Sequence, residues 1–223
     1  MLVRDKVLEY FNADVIKQPI NIVGCGAIGS HLAEELIRIG VTSLHLWDFD
    51  MVEPHNITNQ MFFATQIGMT KVDAVEQLCT MINPDVKITK HSEGIKPPYV
   101  LSGIVFLCVD NIDLRREIVK HNQYNPNVSA FFDFRMRLTD GQCYFGSTQE
   151  LSSLTNLLAS MDFTHEEAKA STPVSACGTE LSVIYTVKAI VSVGVHNFIT
   201  YIQTCTAKPV ILIDMQSLTI TTV

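Results

Sequence analysis

Gly24, Gly26 and Gly29 stand in the stretch Ile20-Asn21-Ile22-Val23-Gly24-Cys25-Gly26-Ala27-Ile28-Gly29, with an apolar run before them and an amphipathic pattern, Ser30 to Ile39, after them. The spacing is that of a G-x-G-x-x-G turn between a strand and a helix, and the chemistry it suits is anion binding. A side chain at Gly24 would obstruct the tight turn, and one at Gly26 would hold the backbone away from a phosphate. The helix that follows aims free N–H groups at the same place. Roughly twenty residues on, where a nucleotide-binding βαβ unit sets its ribose-gripping carboxylate, the alternating run Ser43 to Trp47 ends at Asp48. Glycine spacing alone is a weak signal. With the strand and the carboxylate in register, nucleotide binding outweighs a solvated turn residue or a cap at Asp48.

The elements that must position these residues read as alternating strands and helices. A short helix is expected over Val3 to Phe11, then the first strand, the glycine turn and its helix, and the second strand to Trp47. A polar loop with Pro54 follows, at the carboxyl edge where ligands bind in open parallel sheets. Lys71 to Ile82 has helical spacing closed by Asn83-Pro84, and Asp85 to Thr89 reads as a third strand. Ile104 to Val109 is a continuous apolar run of the kind buried in a parallel sheet, followed by a helix from Ile112 to His121 and a strand from Val128 to Phe132. Phe134 to Leu138 and Gln142 to Phe145 read as a hairpin turned by Thr139-Asp140-Gly141. Leu151 to Lys169 is expected to be helical in pieces, Glu180 to Tyr201 a long apolar helix, and Val210 to Ile213 with Leu218 to Thr222 a final strand pair. The expected fold is α/β: a Rossmann-like, mostly parallel sheet with helices on both faces and antiparallel strands added in the C-terminal half. Residues 1–223 are read as one nucleotide-binding domain.

Composition narrows the classes. The chain has 223 residues, 47% hydrophobic and 17% charged, with a formal net charge of −7 and no Lys/Arg run, which leaves no nucleic-acid footprint. The mean hydropathy of +0.22 raises the question of a membrane span. The longest greasy stretch, Val183 to Val195, is interrupted by Lys188 and too short to cross a bilayer. Charge in Met-Leu-Val-Arg-Asp-Lys argues against a secretory signal, so a cytoplasmic protein is expected. The six cysteines have no C-x-x-C pair, which fits neither a zinc knot nor a disulfide scaffold.

Behind the glycine turn, several short motifs fall in one order: Asp48-Phe49-Asp50, Asn56-Ile57-Thr58-Asn59-Gln60, Ile67-Gly68-Met69-Thr70-Lys71, Ile82-Asn83-Pro84 and Cys108-Val109-Asp110-Asn111. In this order they resemble the ThiF/MoeB/HesA family, adenylating enzymes related to ubiquitin activators. The similarity is dense from Asn21 to about Arg116 and returns around Arg135 to Phe145 and Cys177 to Phe198. The resemblance implies ATP rather than a dinucleotide, and transfer of AMP to the C-terminal carboxylate of a small ubiquitin-like or sulfur-carrier protein. It also implies a homodimer. It places Gly24, Gly26, Ala27, Ile28 and Gly29 around the phosphates, Asp48 and Asp50 at the end of the second strand, and Asn56, Asn59 and Gln60 in the loop over the nucleotide. Lys71 would reach the phosphates and Asp110 would hold magnesium, whose octahedral preference suits a carboxylate with phosphates and water. Two alternatives stay open: Asp110 as the N-cap of the next helix, and Arg115, which also matches, as half of a structural ion pair.

The chain also departs from the family. Asn59 stands where relatives carry an arginine before the glutamine, and the N-terminal segment that supplies a second arginine is missing, with Arg4 the nearest candidate. The C-x-x-C pairs of many relatives are absent too, so no zinc is expected. Cys177, in Thr172-Pro173-Val174-Ser175-Ala176-Cys177-Gly178, resembles the cysteine that some relatives use to accept the acyl group or carry sulfur. A helix N-terminus lowers a thiol's pKa, whereas a small buried filler is the equal alternative. Three functions remain: an ATP-dependent adenylyltransferase, a non-catalytic nucleotide-binding subunit of a heteromeric activator, and a nicotinamide-dependent oxidoreductase. The last would leave Lys71 and Asp110 without a role.

Overall fold

Ile22, Phe106 and Phe132 belong to one apolar cluster, and their strand neighbours Val23, Leu107 and Phe131 to a second. Successive side chains point to opposite faces of a strand, so both faces of this sheet must be covered. The computed structural model describes residues 2–174 and 181–223. Five strands, β1 (Ile20–Val23), β2 (Ser43–Trp47), β3 (Lys87–His91), β4 (Gly103–Leu107) and β5 (Val128–Arg137), pair in parallel. Three more, β6 (Asp140–Ser147), β7 (Val210–Asp214) and β8 (Thr219–Thr222), add antiparallel to β5, giving the order β3-β2-β1-β4-β5-β6-β7-β8. The order reverses at β1, which has β2 on one side and β4 on the other. That reversal opens the crevice in which doubly wound sheets take their ligands.

Helices α1 (Ala27–Arg38), α2 (Lys71–Ile82) and α6 (Ile184–Thr204) send Leu32, Leu36, Val75, Val191 and Phe198 into the first cluster. Helices α3 (Ile112–Asn122) and α4 (Leu151–Ala159) supply Ile118, Val119, Leu154 and Leu157 to the second, and the short α5 (His165–Ser171) lies beyond them. The architecture is the α/β sheet expected from the sequence. No helix among the described residues is long and apolar enough to cross a membrane.

Several boundaries differ from the sequence reading. No helix forms over Val3 to Phe11. Residues 5–10 are turns, and Arg4 closes onto Asp14 through two hydrogen bonds of 2.9 and 2.8 Å, while Val3, Leu8 and Tyr10 stay exposed. A helix there would have only Phe11 to bury. Helix α1 starts at Ala27, inside the glycine motif, with Gly26 as a cap that offers no side chain. Strand β3 begins two residues late, and β5 is one strand of 10 residues rather than two runs. The hairpin turn is Leu138-Thr139, with Leu138 at φ +45°, because Asp140 and Gly141 already pair with Arg137 and Met136. Gly141 serves packing instead: a Cβ there would lie 2.7 Å from Ile213 and 2.8 Å from Ile190. Helix α6 runs Ile184–Thr204 and spends its apolar side inside the chain, against α1, β5 and β6.

Candidate nucleotide site

The glycine turn leaves β1 and is held from both neighbouring strands. Gly24 donates to the Trp47 carbonyl at 2.8 Å and Cys108 to the Val23 carbonyl at 2.8 Å, so the ends of β2, β1 and β4 are tied across the crevice. Gly24 sits at φ +96°, and a Cβ there would come within 2.7 Å of the Val109 nitrogen and 2.8 Å of the Cys108 carbonyl carbon. A Cβ on Gly29 would lie 1.8 Å from the Gly24 oxygen. Both glycines are therefore fixed by close backbone approach. Gly26 is different: the nearest atom to a Cβ there is Gln60 Oε1 at 4.0 Å. Its openness is what a phosphate needs, because the uncapped first turn of α1, at Ala27 and Ile28, has N–H groups to give.

Asp48 closes the turn from the β2 side. Its Oδ2 accepts from the Cys25 N–H at 2.6 Å and its Oδ1 from the Asp50 N–H at 2.8 Å. Burial pushes its carboxyl above the usual range, against the opposing pull of those N–H groups and of Lys71. Each oxygen keeps a lone pair for a further donor such as a ribose hydroxyl.

Lys71 opens α2, where Thr70 caps the helix by accepting from the Asp73 N–H. Its Nζ sits 2.7 Å from Asp50 Oδ2, with the lysine side chain 10% exposed and the aspartate 48%. The ammonium is thus already paired, and Asp50 holds it at the rim rather than leaving it free. An anion arriving there would compete with, or bridge to, an exposed carboxylate.

The loop after β2 is built by its own polar side chains. Asn56, buried, accepts from the Glu53 N–H at 2.9 Å, which winds Pro54–Thr58 into a 3-10 helix. Asn59 donates 2.7 Å to Ser182 Oγ, just ahead of α6, and Ser30 on α1 accepts from the Met61 N–H at 3.0 Å. Gln60 Oε1 is buried without a partner among the described residues. Asn56 and Asn59 therefore shape the loop, and Gln60 is the side chain that keeps an unused acceptor over the turn.

Asp110 follows β4 and is exposed, with no hydrogen bond or ion pair among the described residues. The helix cap next to it is Asn111, whose Oδ1 accepts from the Leu114 N–H at 3.0 Å. Capping is thus taken by the neighbour, and the Asp110 carboxylate is left to other work. Among the described residues no group of three or more His, Cys, Asp or Glu side chains could hold a metal ion alone. A single carboxylate with phosphate and water ligands fits magnesium's habits, so Asp110 suits the ion only with a nucleotide present.

Asp110 also begins a cavity of about 650 Å³ that runs over β5–β8 and under α5, lined by Arg135, Arg137, Gln142, His165 and Lys169 among others. Arg115 forms the structural ion pair left open as its alternative: it meets the fully buried Asp133, whose other oxygen takes Arg135 at 2.7 Å. Arg135 also lies 4.3 Å over the Tyr144 ring and donates to the Ser160 carbonyl. Cys177 lies outside the described residues. Of the other cysteines, burial pushes Cys25 and Cys143 well up and Cys79 and Cys108 to about 12, which makes them inert at neutral pH. Cys205 is exposed at the end of α6.

The sequence model of the ThiF family matches residues 9–218. The chain belongs to the ThiF family. Its relatives include ubiquitin-like modifier-activating enzyme 5 of Drosophila willistoni, 33% identical over 119 residues, and that of Oryza sativa subsp. japonica, 46% identical over 76 residues. Those matches cover 46% and 34% of this chain but only 29% and 18% of the relatives. Among solved structures, E. coli MccB determined with ATP superposes with a TM-score of 0.72 at 15% identity, covering 95% of this chain and 65% of MccB. MccB with MccA-N7isoASN gives 0.74 at 14%, covering 95% and 66%. The structural likeness is one of fold. This ThiF-family chain thus spans under a third of the curated relatives it matches and about two thirds of MccB.

Proposed function

We propose that this chain binds ATP at the β1–β4 crevice and transfers AMP to the C-terminal carboxylate of a small ubiquitin-like or sulfur-carrier protein. The observation that carries the reading is the packing of Gly24 on Cys108 and Val109, which sets the open glycine turn beside the segment that carries Asp110, itself at the edge of the cavity. Phosphates would take the N–H groups at Gly26, Ala27 and Ile28, the ribose Asp48, and Lys71 the growing charge while Asp50 yields. Magnesium, held by Asp110 and the phosphates, would neutralise charge on the departing pyrophosphate. The cavity beyond Asp110 would lead the carrier's tail to the α-phosphate for in-line attack. Cys177 is the candidate for onward transfer: its thiolate would attack the carbonyl of the acyl adenylate, with AMP leaving and the carrier held as a thioester.

Asp110→Ala should abolish the strengthening of ATP binding by magnesium in calorimetry. Unchanged affinity with magnesium would refute the assignment. ATP–pyrophosphate exchange with a candidate carrier, run beside NAD binding, separates the enzyme from an oxidoreductase. A second reading, a nucleotide-binding subunit that needs a partner's arginine, is favoured by Asn59 and its bond to Ser182, which put no cation in the loop. We also infer a homodimer. The support is the exposed Phe49, Met51, Phe63 and Ile67 around the loop after β2, since α6 buries its apolar side within the chain. A purely monomeric mass in light scattering at micromolar concentration would refute it.

A further inference from the structure

Arg115 is 5% exposed in the middle of the molecule, and its side chain ties the end of β4 to β5. Its guanidinium donates to the carbonyls of Leu107 at 3.3 Å and Phe134 at 2.6 Å, to that of Val109, and to Asp133 Oδ1. Its own backbone N–H donates to the Asn111 carbonyl at 3.2 Å. Val109 and Asn111 are the two residues that flank Asp110. The guanidinium therefore holds the residue just before an exposed carboxylate, while the bond to Asn111 just after it is the first backbone bond of α3.

Stability alone does not explain such a residue. Taking a guanidinium and a carboxylate out of water costs several kcal/mol per ion, and apolar replacements of a buried pair are often neutral or better. A lysine would be a point charge and could not fork to three carbonyls and a carboxylate. What the fork does provide is a fixed path for the backbone from β4 into α3. Magnesium demands near-octahedral geometry, so a lone protein ligand has to be held where the phosphates will complete the shell. Residues that orient a metal ligand typically cost 10–100-fold in metal affinity when removed.

We propose that Arg115 is a positioning residue that fixes Asp110 for a nucleotide-bound divalent cation, with Asp133 as its anionic anchor. The inference rests on the reading of Asp110 given above. Arg135 shares Asp133 but touches no carbonyl near Asp110, and this makes it the control.

The test is calorimetry of ATP binding to the full chain, in EDTA and across a magnesium titration, with folding checked by thermal unfolding. Arg115→Lys should raise the magnesium concentration needed for half-maximal strengthening by roughly tenfold and leave ATP affinity in EDTA unchanged. Arg135→Lys should leave the magnesium midpoint where it is. A wild-type midpoint in folded Arg115→Lys, or an equal loss of affinity in EDTA, would overturn the proposal. Should Arg115→Lys fail to fold, Asp133→Asn reads the same anchor, and an unshifted midpoint there overturns it too. If instead Asp110→Ala keeps the wild-type magnesium response, the cation is not at Asp110, and both readings fall together.

Discussion

Asn59 stands where the resemblance set out above leads one to expect an arginine, and here its amide is tied to Ser182. In the adenylation proposed above, a cation at that point would act on charge that grows only as pyrophosphate leaves, so its absence would slow chemistry more than it weakened ATP binding. Asn59→Arg should raise pyrophosphate exchange by on the order of ten- to a thousand-fold, with little change in ATP affinity by calorimetry. Ser182→Ala, which frees Asn59 without adding charge, should leave both exchange and affinity unchanged. A second residue-scale expectation concerns His45 and His91. Their ring nitrogens lie 3.3 Å apart, and His91 stacks on Trp47 with ring centroids 3.5 Å apart. Burial lowers the pKa of both, and the proximity of His45 lowers His91 further while Glu93 pulls the other way. His31, buried in α1, shifts in the same direction. The unfolded chain takes up these protons below about pH 6.5, which the folded chain refuses. Stability should therefore fall as pH drops from about 6.5 through the lowered folded values and level off beneath them. Urea unfolding at a series of pH values checks this, and His91→Gln should flatten part of the slope. Trp47, the chain's one tryptophan, offers a direct view, because its fluorescence should quench as His91 protonates, with a midpoint below about 6.5.

Helix α6 crosses the sheet at Gly194, where a Cβ would lie 2.1 Å from the Phe134 ring. Phe134 packs with Phe106, which also meets Phe132 and Phe198, so the ring cannot step aside freely. Gly194→Val should cost about 1–3 kcal/mol or more in chemical unfolding, as overpacking does, while Gly68→Ala, with nothing within 4 Å, should cost little beyond the strain of its φ of +88°. Elements with strong local signals were legible. Lys71 to Ile82 forms the helix expected of it, because Thr70 caps one end and Pro84 closes the other. Signals with two uses misled. Asp140-Gly141 reads as a turn, yet the glycine is there so that Ile190 and Ile213 can approach. At the site, the glycine turn, Asp48 and Asp110 stand out because their spacing along the chain is itself the pattern. Asp133 and Arg135 do not, since Arg115 and Ser160 meet them only in the fold. The one hint was charge at alternate positions of Phe132-Asp133-Phe134-Arg135, which marks a strand face that is not simply core.

Across the whole molecule, the crevice lies between strands far apart in sequence: Ile20 pairs with Ile104 and Val23 with Leu107. Time enters here. During synthesis at about 5–20 residues per second, the stretch from β1 to β4 takes on the order of 4 to 17 s to appear. Throughout that interval the glycine turn exists as sequence but has no Cys108 or Val109 to lean on, and long-range parallel pairing is slow even once both strands are present. A nascent chain halted before β4 should therefore not retain ATP on a nucleotide resin, whereas one halted after α3 has emerged should begin to do so, and the onset of retention would date the closing of the β1–β4 pair on the ribosome.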